Sequence, residues 1–286
     1  MLLENNLRSI QHIGIPTVDI RKSVQWYQEK LDFHLMGDYA IPTPGGDVQI
    51  AFLEKDGLVL EFYQLVGEDL EETRRRRHGH IDHITLDVLD VRRAMETTLQ
   101  RGANLDAEYT PDGPVEGPQY WTAGVSYVFV DGPNGERIEL NQRNDLPPGR
   151  RSQNIGGWSH LGIPVTDIES SKQFYQRFGF ALTMDVAIPS GEETVRIAML
   201  EKDGFTLEFY QLTGDARQEV GRRSDGYIDH FTLEVADIES AFYELNQAGI
   251  TPLSDGPIDL PVGERGVRYF FVRGPQGEKI EFNQRL

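Results

Sequence analysis

Apolar and polar residues alternate most regularly in two nearly identical stretches. Residues 53–65 read LEKDGLVLEFYQL and residues 200–212 read LEKDGFTLEFYQL. In each, a Lys-Asp-Gly turn separates two apolar runs, which predicts a hairpin. After the turn, Leu58, Leu60 and Phe62 fall on one face of a strand, and Val59, Glu61 and Tyr63 on the other. The second copy sets Phe205, Leu207 and Phe209 against Thr206, Glu208 and Tyr210. A carboxylate in the middle of an apolar strand costs free energy unless it is paired, solvated or metal-bound. Glu61 and Glu208 therefore need an explanation.

The same order recurs along the whole chain. IGIPTVDI (13–20) returns as LGIPVTDI (161–168), HIDHITLDV (80–88) as YIDHFTLEV (227–235), and GPNGERIELNQR (132–143) as GPQGEKIEFNQR (274–285). The chain is thus an internal duplication. Each half divides again into units that open with a strand bearing a histidine. An aspartate at a helix N-cap position follows: Asp19, Asp90, Asp167 or Asp237. Apolar residues then take helical spacing, as at Ile20, Val24, Tyr27 and Leu31, or Ile238, Phe242, Leu245 and Ala248. Gly102, Gly179 and Gly249 stand where three of the helices should stop. Three strand-like segments complete each unit. The pattern predicts an α+β protein of four strand-helix-strand-strand-strand modules, at 7–65, 80–143, 157–212 and 227–286. The halves form two domains, 1–145 and 157–286, joined by a Pro/Gly-bearing polar linker at 146–156.

Length and composition narrow the function. A chain of 286 residues suits about two domains. A formal net charge of −18 argues against a nucleic-acid partner. The absence of cysteine excludes disulfides, thiolate ligands and a thiol nucleophile. No segment has the apolar length of a membrane span, and the N-terminus lacks a signal-peptide core, so a cytoplasmic location is expected.

The candidate chemistry lies at the module ends. Each module begins with a histidine, His12, His83, His160 or His230, and ends with a glutamate on its last strand, Glu61, Glu139, Glu208 or Glu281. Alternation puts His83 with Thr85 and Asp87, and Glu139 with Arg137 and Asn141, leaving the opposite, apolar face to pack on the helix. One module offers only two ligands. Two facing modules offer two His and two Glu, a reasonable donor set for a divalent ion with positions left for water or substrate. The second half has only two histidines, and both occupy the candidate position. Tyr63, Tyr210, Asn141 and Asn283 share the ligand face, as hydrogen-bonding neighbours or as pocket wall. His78 and His80 read as loop residues. Residues 74–77 form a basic run, read as a solvated linker helix or as an attractor of anionic substrate.

These motifs resemble the vicinal oxygen chelate superfamily, which includes glyoxalase I, bleomycin-resistance proteins and extradiol dioxygenases. The resemblance runs through all four modules and implies paired βαβββ units whose curled mixed sheets surround a metal. The His-Glu-His-Glu order is similar to that of glyoxalase I. By that resemblance all eight residues are metal ligands, for Zn²⁺ or Ni²⁺ first and Fe²⁺ or Mn²⁺ second, and Glu139 and Glu281 move protons. An extradiol dioxygenase would instead draw on His160, His230 and Glu281. A metal-free binder of the bleomycin-resistance kind is the third reading. The neighbourhoods GIP (14–16 and 162–164) and FYQL lack the groups by which glyoxalases hold glutathione. The expected partner is a small-molecule substrate, with the chain a monomeric pseudo-dimer or a homodimer. The Pro/Gly-rich midpoint favours pairing of neighbouring modules. His12, Glu61, His83 and Glu139 would then form one site, and His160, Glu208, His230 and Glu281 the other.

Overall fold

The structure, a computed structural model, describes residues 1–146, 153–263 and 265–286. Module 1 comprises β1 (Leu7–Pro16), α1 (Ile20–Leu31), β2 (His34–Thr43), β3 (Gly46–Lys55) and β4 (Leu58–Gln64). Helix α2 (Gly67–Arg75) leads to module 2: β5 (His83–Val88), α3 (Val91–Gln100), β6 (Asn104–Leu105), β7 (Val115–Gly117), β8 (Val125–Asp131) and β9 (Arg137–Arg143). Module 3 comprises β10 (Ile155–Pro164), α4 (Ile168–Gln176), β11 (Ala181–Ser190), β12 (Glu193–Lys202) and β13 (Phe205–Gln211). Helix α5 (Gly214–Val220) leads to module 4: β14 (His230–Val235), α6 (Ile238–Gln247), β15 (Ile258–Leu260), β16 (Val267–Arg273) and β17 (Lys279–Arg285). The α+β reading and the fourfold module hold.

Local chemistry explains these elements. The side chains of Asp19, Asp90, Asp167 and Asp237 each accept a backbone N–H in the first turn of their helix. Asp56 and Gly57, and Asp203 and Gly204, all take positive φ, as the tight hairpin turn requires. The strand faces alternate as expected. Leu60, Phe62, Leu207 and Phe209 are fully buried, each contributing roughly 1.5–3 kcal/mol relative to exposure.

The sheets correct the expected pairing of modules. One sheet runs β15-β16-β17-β14-β1-β4-β3-β2, and the other β11-β12-β13-β10-β5-β9-β8-β6 with β7 on β8. Module 1 therefore shares a sheet with module 4, and module 2 with module 3. The seams are antiparallel, β1 with β14 and β10 with β5. Neither half of the sequence closes a sheet by itself.

The physical reason is a crossing of connections. The chain leaves β4 through α2 and leaves β13 through α5. The two segments that follow then pass one another in contact. Tyr227 N–H donates to Arg77 C=O at 3.0 Å, and His80 N–H to Ser224 C=O at 3.2 Å. At this crossing a Cβ on Gly79 would lie 2.3 Å from Gly226 N, and one on Gly226 2.3 Å from Gly79 N. Only paired glycines let the backbones approach so closely. Arg76 belongs to this crossing and forms a buried ion pair with Asp229 at 2.5 Å, so the basic run is only partly a solvated helix. Of the midpoint linker, residues 147–152 lie outside the described residues. Sequence neighbours still touch, but behind the sheets. The Tyr27 hydroxyl donates to buried Glu136 at 2.9 Å, and the Tyr175 hydroxyl to buried Glu278 at 2.6 Å.

Candidate metal centres

Crossing the modules regroups the eight candidate ligands. In the sheet of modules 2 and 3, His83, Glu139, His160 and Glu208 are all buried and form one compact group. His83 Nε2 stands 3.3 Å from Oε2 of both Glu139 and Glu208. His160 Nε2 stands 3.2 Å and 3.5 Å from the same two atoms. In the sheet of modules 1 and 4, His12, Glu61 and His230 form the compact group. Glu281 Oε2 approaches His230 Nε2 at 3.3 Å but stands outside that group. The neighbour grouping is thereby corrected. His160, His230 and Glu281, the set an extradiol site would draw from the second half, are also split between the two sheets.

Glycine makes room for the histidines. On the central strands Gly14 faces His230 across the seam and Glu61 on the other side; Gly162 likewise lies between His83 and Glu208. A Cβ on Gly162 would fall 2.0 Å from His83 Cε1, and one on Gly14 the same distance from His230 Cε1. The imidazoles of His83 and His230 therefore each lie over a bare glycine of the facing module. Tyr210 stacks on His83 at 5.9 Å and Tyr63 on His230 at 6.1 Å, between ring centroids.

The hydrogen bonds around the groups leave donor atoms turned inward. His83 Nδ1 meets Asp82 Oδ2 at 3.3 Å, His230 Nδ1 meets Asp229 Oδ2 at 3.1 Å, and His12 Nδ1 meets Gln11 Oε1 at 2.9 Å. An Nδ1–H donated outward places the lone pair on Nε2. The buried Nε2 atoms of His83, His160 and His230 have no hydrogen-bond partner. Asn141 and Asn283 donate to Oε1 of Glu139 and Glu281 at 2.7 and 2.9 Å, orienting each carboxylate. Four donors around an ion at ~2.1 Å would be spaced about 3.4 Å apart in a tetrahedron, and the 3.2–3.5 Å spacings of the module 2 and 3 group fit that arrangement. Orphaned imidazole nitrogens beside two carboxylates suit a divalent ion such as Zn²⁺ or Ni²⁺.

Electrostatics agree with the geometry. Burial pushes the Glu139 and Glu208 carboxyls up, but the charges of His160 and His83 hold both below the ordinary carboxylate range. Burial pulls His160 down, yet Glu139 and Glu208 raise it to about 9. Asp82 is buried, which raises its pKa, but His83, Arg137 and Arg223 together keep it ionised. Burial likewise opposes the charge of Asp229, and His230, Lys279 and Arg76 together keep it ionised. Arg223 reaches Asp82 from the connection that follows module 3 and α5, and Arg76 reaches Asp229 from the connection that follows module 1 and α2. These arginines tie each Asp-His pair to the facing module.

Sequence reasoning missed Gly14, Gly162, Asp82, Asp229, Arg76 and Arg223. Their signal was present. A glycine follows His12 and His160 by two residues, and an aspartate immediately precedes His83 and His230.

The sequence model of the Glyoxalase/Bleomycin resistance protein/Dioxygenase superfamily matches residues 9–140 and again 157–282. The chain belongs to this superfamily. The Bacillus subtilis (strain 168) protein YwbC is 30% identical over 128 residues, covering 44% of this chain and 95% of YwbC. The crystal structure of glyoxalase I from Zea mays superposes with a TM-score of 0.72 at 18% identity, covering 98% of this chain and 94% of that one. At that identity the superposition shows a shared fold. Among the described residues no helix is long and apolar enough to cross a membrane.

Proposed function

We propose that the chain is a metal-dependent lyase or isomerase of glyoxalase type, acting on a small substrate with adjacent oxygens. One observation carries this reading: His83, Glu139, His160 and Glu208 turn unpartnered nitrogens and carboxylate oxygens towards one point, and that point borders a cavity. A divalent ion held there supplies Lewis-acid stabilisation of the negative charge that develops on substrate oxygens.

The chain's own residues do the rest. Asp82 holds His83 in the tautomer that presents Nε2. Asn141 fixes Oε1 of Glu139, and Oε2, held by Thr85, lies beside the two imidazoles. Glu139 takes a proton from the carbon beside the carbonyl and returns it to the neighbouring carbon, and Glu281 does so at the other centre. Val125, Phe129 and Ile197 line the cavity and exclude water from the exchange.

The test is turnover of a 2-oxoaldehyde, with and without added thiols, by protein loaded in turn with Zn²⁺, Ni²⁺ and Fe²⁺, with oxygen uptake followed in parallel. Turnover with redox-inert Zn²⁺ or Ni²⁺ and no oxygen uptake is expected. Activity confined to Fe²⁺, with oxygen consumed on a catechol, would move the reading to ring cleavage.

A further inference from the structure

The two centres have matching ligands but different cavities. At the centre of modules 1 and 4 one continuous cavity of about 400 Å³ borders His12, Glu61, His230 and Glu281 together. His12 also borders a separate cavity of about 250 Å³ lined by Gln11, Val59 and Trp158. At the centre of modules 2 and 3 the four candidate ligands are divided between two cavities. One, of about 180 Å³, borders His83, Glu139 and Glu208. The other, of about 200 Å³, borders His160. Tyr120, Val125 and Asn141 line both. Val125 and Asn141 correspond in the repeat to Val267 and Asn283, which line the undivided cavity. Tyr120 does not correspond to a like residue. Counted back from the shared Gly-Val before β8 and β16, its place is taken by Val262.

The segment between β7 and β8 holds Tyr120 in position. Trp121 N–H donates to Met184 Sδ at 3.4 Å, and the Arg143 guanidinium lies 3.9 Å over the Trp121 ring. Tyr120 and Trp121 pack against Met184, Ile197 and Met199 of the facing hairpin. Tyr120 thus comes from module 2 and closes on module 3.

We propose that Tyr120 is a size gate: it divides the cavity at the centre of modules 2 and 3, restricting that centre to compact compounds with adjacent oxygens, while the centre of modules 1 and 4 accepts the same head group carrying an apolar tail. The tail's chemistry follows from Ile41, Val48, Ile50, Phe52 and Leu260, which wall the larger cavity. The proposal rests on the metal-centre reading above and adds the substrate size that each centre takes.

The test uses full-length protein loaded with Co²⁺ and two hydroxamates, which chelate through adjacent oxygens. Acetohydroxamate is compact, and biphenyl hydroxamate carries a long apolar tail. Calorimetry gives the stoichiometry, and the Co²⁺ visible spectrum reports chelation. Wild-type protein should bind about two acetohydroxamates but about one biphenyl hydroxamate per chain. Tyr120→Ala should raise the biphenyl count to about two, whereas Tyr120→Phe, which keeps the ring, should leave it at about one. A wild-type biphenyl count of two, or a Tyr120→Ala count that stays at one while acetohydroxamate binds twice, overturns the gate. Protein that takes no Co²⁺, or takes it without binding acetohydroxamate, overturns the reading of the centres themselves and the gate with it.

Discussion

Gly162→Ala should dismantle the centre of modules 2 and 3 without altering any ligand. Gly162 does not need glycine for its backbone angles, since it is not among the positive-φ residues. It needs glycine for space. The added Cβ would meet His83 Cε1 at 2.0 Å, Nε2 at 2.2 Å and Nδ1 at 2.5 Å. Carbon atoms pack at about 3.5–4.0 Å, so the ring must retreat by roughly 1.5 Å. The strands cannot part to absorb this, because Gly162 and His83 face one another across the seam. A metal–ligand distance tolerates only about 0.2 Å, so Nε2 leaves the donor set. Overpacking of this kind costs about 1–3 kcal/mol of stability, leaving a folded protein. Losing the alignment of neighbouring groups alone typically costs 10–100-fold in metal affinity, and losing a donor should cost at least that. Titration of the metal-free variant against a competing chelator should therefore show one tight ion fewer per chain, with the other centre unchanged. Wild-type affinity at both centres in Gly162→Ala would refute the argument that the glycine exists to seat the imidazole.

Three further outcomes follow from the site. Arg223→Met and Arg76→Met remove the charges that hold Asp82 and Asp229, so each should weaken metal binding by about 10–100-fold at its own centre, read by chelator competition; unchanged affinities would refute the orienting role. Residues 1–145 expressed alone contain two ligands of each centre, so a monomer should bind no ion tightly; a monomeric half-chain with full-chain affinity, its mass measured in solution, would refute the crossed grouping. In metal-free protein His160 is raised to about 9 by Glu139 and Glu208, despite burial that lowers it. Its ordinary value is about 6.5, so this pairing stabilises fully below that pH and is lost as pH rises through about 9. Urea midpoints of metal-free protein should accordingly fall between those pH values, and metal binding below pH ~9 should release protons; a flat profile would contradict the assignment.

The sequence showed each module plainly because a module is made of local information. The Asp caps, the Asp-Gly turns and the alternation around Glu61 and Glu208 each act within a few residues, and the structure follows them. The candidate ligands could be named for the same reason: a strand fixes which side chains share a face. The grouping of modules was not. It depends on which edge β1 meets, and the seams with β14 and with β5 would both join apolar strands. What decides is the path of two connections that touch at Gly79 and Gly226. Neither glycine carries a meaning that can be read without its partner far along the chain. Gly14 and Gly162 were opaque in the same way. Their space is filled by a histidine from another module, so a pattern read along one strand shows only a missing side chain.

Duplication also hides difference. The ligands, the stacked tyrosines and the Asp-His pairs repeat with nearly the same spacing, which reads as two equal centres. In space they are unequal. Thr85 donates to Oε2 of Glu139 at 3.0 Å, whereas its counterpart Thr232 lies 2.9 Å from His12 Nε2. The Glu139 carboxyl is held low, but burial and the nearby Glu61 raise that of Glu281, with His12 and His230 opposing. The walls diverge most where the repeats differ in length. One extra residue between the DGP motif and the Gly-Val before β8 carries Tyr120 and Trp121 across to the facing module, and the shorter repeat leaves Val262 in that place. The ligands lie on strands buried on both sides, where a change of one residue disturbs a paired ladder. The connection between β7 and β8 is free of that constraint. A duplicated chain of this kind can therefore keep both donor sets while its two cavities come to admit different molecules.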